Sequence, residues 1–238
     1  MTPARRLVGE LLGTALLLAA VVGSGIMGER LSDGNAAIAL LANTLATGAT
    51  LVTLILTFGA VSGAHFNPAV TLADASQGGI SWRDVPGYVA AQAAGAILGV
   101  WAAHLMFAEP VLEVSQHVRA GGAQIFSEFV ATFGLLSVIW GCGRLRAEAV
   151  PFAVGLYITG AYWFTASTSF ANPAVTFARA FTNTFAGIRP FDAPGFMAAQ
   201  LAGAFAATFL FQWLVPSLPE QTPDAAVPGS ETEVSHGR

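Results

Sequence analysis

The sequence predicts an all-α membrane protein on three observations: too little charge for a water-covered surface, six apolar stretches long enough to cross a bilayer, and a chain that repeats itself once. Of the 238 residues, 54% are hydrophobic and only 10% are charged, with a mean hydropathy of +0.62. A soluble domain carries about 25% charged residues, so most of this surface must face lipid or lie buried. The 10 basic residues are all arginine and the net charge is −4, which gives a nucleic-acid partner no electrostatic support. Cys142 is the single cysteine. One thiol makes no intrachain disulfide and is a poor start for a metal site, so it reads as an inert apolar thiol.

The first span is 6–27. It follows Arg5 and Arg6, as the core of a secretory leader would. Its apolar run is ~30 Å long as a helix, enough to cross the hydrocarbon and longer than a leader core, so it reads as a span. The second span is 36–58. Segment 59–81 follows, too apolar for an aqueous loop and too broken for a span. About ten of its residues, starting at Pro68, suit a helix of ~15 Å, half the hydrocarbon thickness. The third, fourth and fifth spans are 85–107, 123–142 and 150–166. Segment 167–192 repeats the broken pattern with a half-span from Pro173, and the sixth span is 193–215. The tail, 216–238, holds four prolines, four acidic residues and one arginine, a composition that predicts disorder. Gly9-x-x-x-Gly13 and Gly95-x-x-x-Gly99 read as sites of close helix packing.

The repeat is visible residue by residue. Phe66-Asn67-Pro68-Ala69-Val70-Thr71 is answered by Ala171-Asn172-Pro173-Ala174-Val175-Thr176, an offset of 172 − 67 = 105. Gln92 within Ala-Ala-Gln-Ala-Ala-Gly-Ala is answered by Gln200 in a matching run, offset 200 − 92 = 108. Glu10 is answered by Glu128, offset 128 − 10 = 118. The copies cover about 5–108 and 122–215, so 1–215 reads as one domain. Each holds three spans and a half-span. Three is odd, so the second copy enters the membrane upside down, an arrangement that sets a functional site near the midplane where broken helices meet. Arginine placement weakly favours both termini inside, and Trp82, Trp140 and Trp213 then fall near the inner interface as an aromatic belt.

One Asn-Pro-Ala is an ordinary helix start, with Asn as cap and Pro at the first helical position. Two copies with matched flanks, each opening a half-span, are different, because irregular backbone at membrane depth survives only when buried or lining a water-filled cavity. Two half-helices meeting N-terminus to N-terminus would each bring roughly half a positive charge to the midplane. Asn67 and Asn172 would add amide donors there. Such a junction repels cations and orients water so that a proton cannot be relayed.

Ser62-Gly63-Ala64-His65-Phe66-Asn67-Pro68-Ala69-Val70-Thr71, with Asn172-Pro173-Ala174 in the second half, resembles the aquaporin, or major intrinsic protein, family over about residues 6–215. The resemblance implies a six-helix bundle with two re-entrant half-helices, one pore per subunit, a homotetramer and no cofactor or metal. It makes Asn67, Pro68, Ala69, Asn172, Pro173 and Ala174 the pore motifs. By family spacing it maps the narrow outer filter onto Thr47, Gly160, Ser169 and Val175. Water-only members of the family have a Phe, a His and an Arg among these positions, and this chain has none. Glycerol-conducting members keep the Arg and widen the rest with Gly; here the Gly is present, the Arg is Val175, and the Asp that follows the Arg is Thr176. The mapping implies a wide, uncharged filter.

Arg179, four residues after Val175, lies on the same helical face and has two readings: a displaced filter cation, or a cap for loop carbonyls. Glu10 and Glu128 are ionisable groups within spans and hence functional candidates; their family counterparts brace the re-entrant loops by accepting backbone N–H bonds. His65 reads either as a liner of the inner vestibule, by resemblance, or as a packing histidine.

The run 172–188 also resembles a bacterial subgroup linked to arsenic-resistance genes, which implies arsenite, neutral at pH 7, or methylated arsenicals as solutes beside water and glycerol. The expectation is thus a passive channel for small neutral solutes in a bacterial inner membrane. The alternatives are a water-selective aquaporin and a secondary transporter, which also uses inverted repeats. An intramembrane enzyme lacks a nucleophile–base pair that the repeat would unite.

Overall fold

A computed structural model describes residues 1–215; the tail expected to be disordered, 216–238, lies outside the described residues. The elements are α1 (Pro3–Leu31), α2 (Ala36–Ser62), α3 (Pro68–Ser76), α4 (Val85–Phe107), α5 (Gly122–Leu145), α6 (Val150–Phe164), α7 (Pro173–Arg179) and α8 (Ala193–Leu214), with a 3-10 turn at Ala147–Ala149 leading into α6. Five helices are long and apolar enough to cross a membrane by length and composition. The remaining long one, α6, has 15 helical residues, about 22 Å at 1.5 Å per residue, and its leading turn adds to that reach.

Helix ends differ from the hydropathy reading where local chemistry extends or stops them. α1 starts before the apolar run because the Thr2 side chain accepts from the Arg5 N–H and Pro3 occupies the first turn. α2 continues past the expected 58 to Ser62, where Gly63 takes a left-handed conformation at φ 91° and ends it. The second half-helix is shorter than expected, seven residues, because the chain tightens after Arg179: the Phe181 N–H bonds to the Ala178 carbonyl and the Ile188 N–H to that of Arg179.

The repeat recurs in the packing. α1 lies against α4 and α2, α5 lies against α8 and α6, and α2 against α6 joins the halves. Gly95 and Gly99 face the main chain of α1 at Leu11 and Ala15, and Gly203 faces α5 at Phe129 in the same way; a side chain there would push the helices apart. Gly9 serves the close helix packing expected of it, whereas Gly13 serves a different contact. Gly9 faces Val61 and Ser62 at the C-terminal end of α2, and Gly13 lies under the Phe66 ring, where it admits the re-entrant loop. Large apolar side chains such as Leu16, Leu45, Leu105, Phe126, Leu156 and Phe209 point outward, as a lipid-facing surface requires. Trp82 and Trp213 are exposed, whereas Trp140 turns inward: its Nε1 donates to Thr208 Oγ1 at 3.0 Å and its ring lines the central cavity.

Candidate functional site

Each half-helix starts on an asparagine that faces two ways. Asn67 Oδ1 accepts from the Ala69 N–H (2.9 Å), and Asn172 Oδ1 from the N–H groups of Ala174 (2.9 Å) and Val175 (3.2 Å). This caps the helix and fixes each amide. The amide nitrogens then cross between halves: Asn67 Nδ2 donates to the Ala171 carbonyl (2.8 Å) and Asn172 Nδ2 to the Phe66 carbonyl (2.7 Å). A carboxamide has two N–H donors, so one remains on each. Both asparagines line a single cavity of about 690 Å³ that draws its walls from both halves of the chain. Pro68, Ala69, Pro173 and Ala174 are buried at the helix starts.

The loops leading into these helices are held in conformations that side-chain-bearing residues avoid. Ala64 and Phe66 have φ of 50° and 48°; Ser169 and Ala171, 105 positions later (169 − 64 and 171 − 66), have 51° and 48°. Left-handed backbone at a non-glycine residue costs of order 1–3 kcal/mol, so something must hold it. Glu10 Oε1 accepts from the His65 N–H (3.0 Å) and the Ser62 hydroxyl (2.6 Å), and its Oε2 from the Phe66 N–H (2.7 Å). Glu128 accepts from the N–H groups of Phe170 (2.9 Å) and Ala171 (2.8 Å).

Two further residues per half complete the arrangement, and neither was given this role from the sequence. Gln92 Nε2 bridges Glu10 Oε2 (2.8 Å) and Thr71 Oγ1 (2.9 Å), and the Thr71 hydroxyl donates to the Asn67 carbonyl (3.0 Å). In the second half Gln200 bridges Glu128 Oε2 (2.6 Å) and Thr176 Oγ1 (2.8 Å), and Thr176 donates to the Asn172 carbonyl (2.9 Å). The signal was present: both glutamines and both threonines lie inside the repeated segments.

His65 lines the cavity with its Nδ1 3.1 Å from Thr71 Oγ1 and its Nε2 3.6 Å from Asp74 Oδ2. Of the four positions that the family spacing maps, three line this cavity and one does not. Thr47, Ser169 and Val175 line the cavity. Gly160 does not: it is exposed, and a side chain built on it would meet nothing within 4 Å. The cavity face of α6 is Val150, Val154, Ile158 and Tyr162, spaced by one helical turn, and residue 160 lies about 160° from Ile158 around the axis. Tyr162 takes the wall assigned to Gly160, with its hydroxyl 3.4 Å from Thr47 Oγ1. That wall therefore carries a phenol where the sequence mapping left it bare.

Arg179 lines the cavity, buried, with its Nε donating to the Ala186 carbonyl. Phe170 and Arg119, also missed from sequence, stand beside it. The guanidinium carbons of Arg179 and Arg119 lie 3.4 Å and 5.1 Å from the Phe170 ring centroid.

Comparison with known proteins places the geometry in context. The family model described as major intrinsic protein matches residues 1–148 and 142–237. The chain is 57% identical over 226 residues to the aquaglyceroporin AqpS of Rhizobium meliloti (strain 1021), covering 93% of this chain and 97% of that one. It is 31% identical over 250 residues to aquaglyceroporin-3 of Trypanosoma brucei brucei, covering 89% and 79%. The X-ray structure of the aquaglyceroporin from Plasmodium falciparum superposes with a TM-score of 0.72 at 22% identity, covering 90% of this chain and 98% of that one, a likeness of fold.

Proposed function

Because the chain belongs to the major intrinsic protein family, we propose that it is a passive channel for small uncharged molecules, with residues 1–215 as one channel domain. The observation that carries this reading is the pair of crossed asparagine amides lining one cavity built by both halves. Each amide is immobile and keeps one N–H. A water accepting from both has its lone pairs committed and cannot relay a proton, while the N-terminal ends of α3 and α7 disfavour a cation at the same place. A solute leaves such a site chemically unchanged, which makes the protein a conduit and not an enzyme.

The solutes proposed are water, glycerol-like polyols, arsenite as As(OH)3 and methylated arsenicals, with a role in arsenic detoxification. Support comes from two directions. Similar proteins from a rhizobium and a trypanosome are named aquaglyceroporins. In this chain Val175 puts no charge where the family's filter arginine stands, and Thr47 and Tyr162 offer hydroxyls that can replace part of a polyol's water. As(OH)3 presents three hydroxyls in a volume comparable to glycerol. We place the protein in the bacterial inner membrane with both termini cytoplasmic, in keeping with the rhizobial relative and the arginine bias. By family resemblance it assembles as a homotetramer.

The test is a flux panel in liposomes over water, glycerol, urea, boric acid and arsenite. Flux should rise linearly with solute gradient, without saturation, and need no ion gradient. Saturable or ion-driven uptake would identify a secondary transporter, and water flux alone a water-selective channel.

A further inference from the structure

Val175 leaves the position of the family's filter arginine empty of charge, yet a guanidinium lines the same cavity one helical turn further along α7. Arg179 is 2% exposed. Among the described residues no carboxylate lies within ion-pair distance of it or of Arg119. One of its nitrogens, Nε, bonds to the Ala186 carbonyl. Among the described residues its two terminal amino groups have no protein acceptor, and they are not sealed from the cavity.

The fork is also aimed. It stacks on Phe170 at 3.4 Å from the ring centroid, and Phe170 is itself fixed. The Phe170 N–H is held by Glu128 at 2.9 Å, and its ring meets Phe196 edge to face at 5.3 Å. Arg119, tied by its Nε to the Gly187 carbonyl at 2.8 Å, lies against the same ring.

A buried cation without a counter-ion is costly. A tie to one loop carbonyl requires neither charge nor a five-donor fork, so that tie alone leaves Arg179 unexplained. We infer that Arg179 is the specificity-determining cation of this pore. Phe170 positions it so that its free amino groups narrow the outer mouth and meet the oxygens of hydroxylated solutes. The inference rests on the channel reading above and deepens it. The cation that the family's spacing seeks at Val175 is supplied here from position 179.

The experiment compares glycerol and water flux in the same proteoliposomes for the parent, Arg179→Ala, Arg179→Lys and Phe170→Leu, with thermal stability measured in parallel. Removing the fork widens the mouth, so Arg179→Ala should raise the glycerol-to-water ratio about fivefold. Lysine keeps the charge but not the fork and should fall between. Phe170→Leu should shift the ratio in the same direction by freeing the guanidinium, although it leaves Arg179 in place. If the ratios of all three variants match the parent, Arg179 is only a loop tie and the inference is overturned, even if every flux and the Tm fall together. A parent protein that passes no solute above empty liposomes would instead remove the channel reading on which the inference stands.

Discussion

Asn67 and Asn172 each bond across to the other half, so a change at one alters both. Aspartate at either position keeps the helix cap but brings a negative charge to the junction and loses the donor to Ala171 or Phe66. Asn67→Asp or Asn172→Asp should therefore admit monovalent cations, seen as conductance above background in planar bilayers. Folded mutant channels that remain at background would refute this account of cation exclusion. Val175→Arg is the opposite kind of change. It adds a second cationic fork one turn deeper than Arg179, on the stretch of wall completed by Thr47 and Tyr162. Arsenite and glycerol flux should drop about tenfold while water, which needs a smaller opening, continues to pass. Unchanged solute flux in proteoliposomes would show that position 175 does not set the width.

At the scale of elements, the re-entrant loops are strained segments held by helices on their flank. Glu10 on α1 and Glu128 on α5 hold them, and Gln92 on α4 and Gln200 on α8 orient those carboxylates. Glu10→Ala or Glu128→Ala leaves buried N–H groups without an acceptor, at about 1–3 kcal/mol each. Purified Ala variants should lose Tm strongly and the Gln variants, which keep one acceptor oxygen, less. Equal Tm across the set would remove the bracing role. The outer connection has a weaker tie that responds to acid. Burial pushes the Asp192 carboxyl up, but hydrogen bonds from the Arg189 guanidinium and the Arg119 N–H outweigh it and hold the group below its ordinary value. Its contribution is present at neutral pH and is lost as pH falls through that depressed pKa. The Tm gap between the parent and Asp192→Asn should accordingly be open at pH 7 and close in acid; a gap independent of pH would assign the effect to packing.

For the whole molecule, hydropathy and the internal repeat made the bundle legible: span 85–107 matches α4 end for end, and both half-helices begin at the prolines that the duplicated motif marks. Ends set by one capping side chain or one left-handed glycine were not legible, because window hydropathy does not register them. The midplane asparagines and the two glutamates stood out because duplication picks out residues whatever their role. The cavity wall around the mapped positions was partly legible. Counting back three from Asn172 stays within the loop and reaches Ser169, which lines the cavity. Counting back twelve crosses the end of α6, where the length of the loop decides which helical face meets the cavity, and so Tyr162 was missed in favour of Gly160. Phe170 answers the unlike His65 in the repeat (170 − 65 = 105) and Arg119 belongs to no motif, so only the folded chain brings them to Arg179.

The crossed amides also impose an order on the making of the protein. The Phe66 carbonyl takes its bond from Asn172, and Asn67 spends its donor on Ala171, both about a hundred residues later in the chain. During synthesis the first re-entrant loop can be braced by α1 as soon as α2 and α4 are in place. Its midplane groups must nevertheless wait, unpaired, until the ribosome has delivered the second half. The pore is therefore absent from every shorter nascent chain and comes into being only when the second half docks on the first.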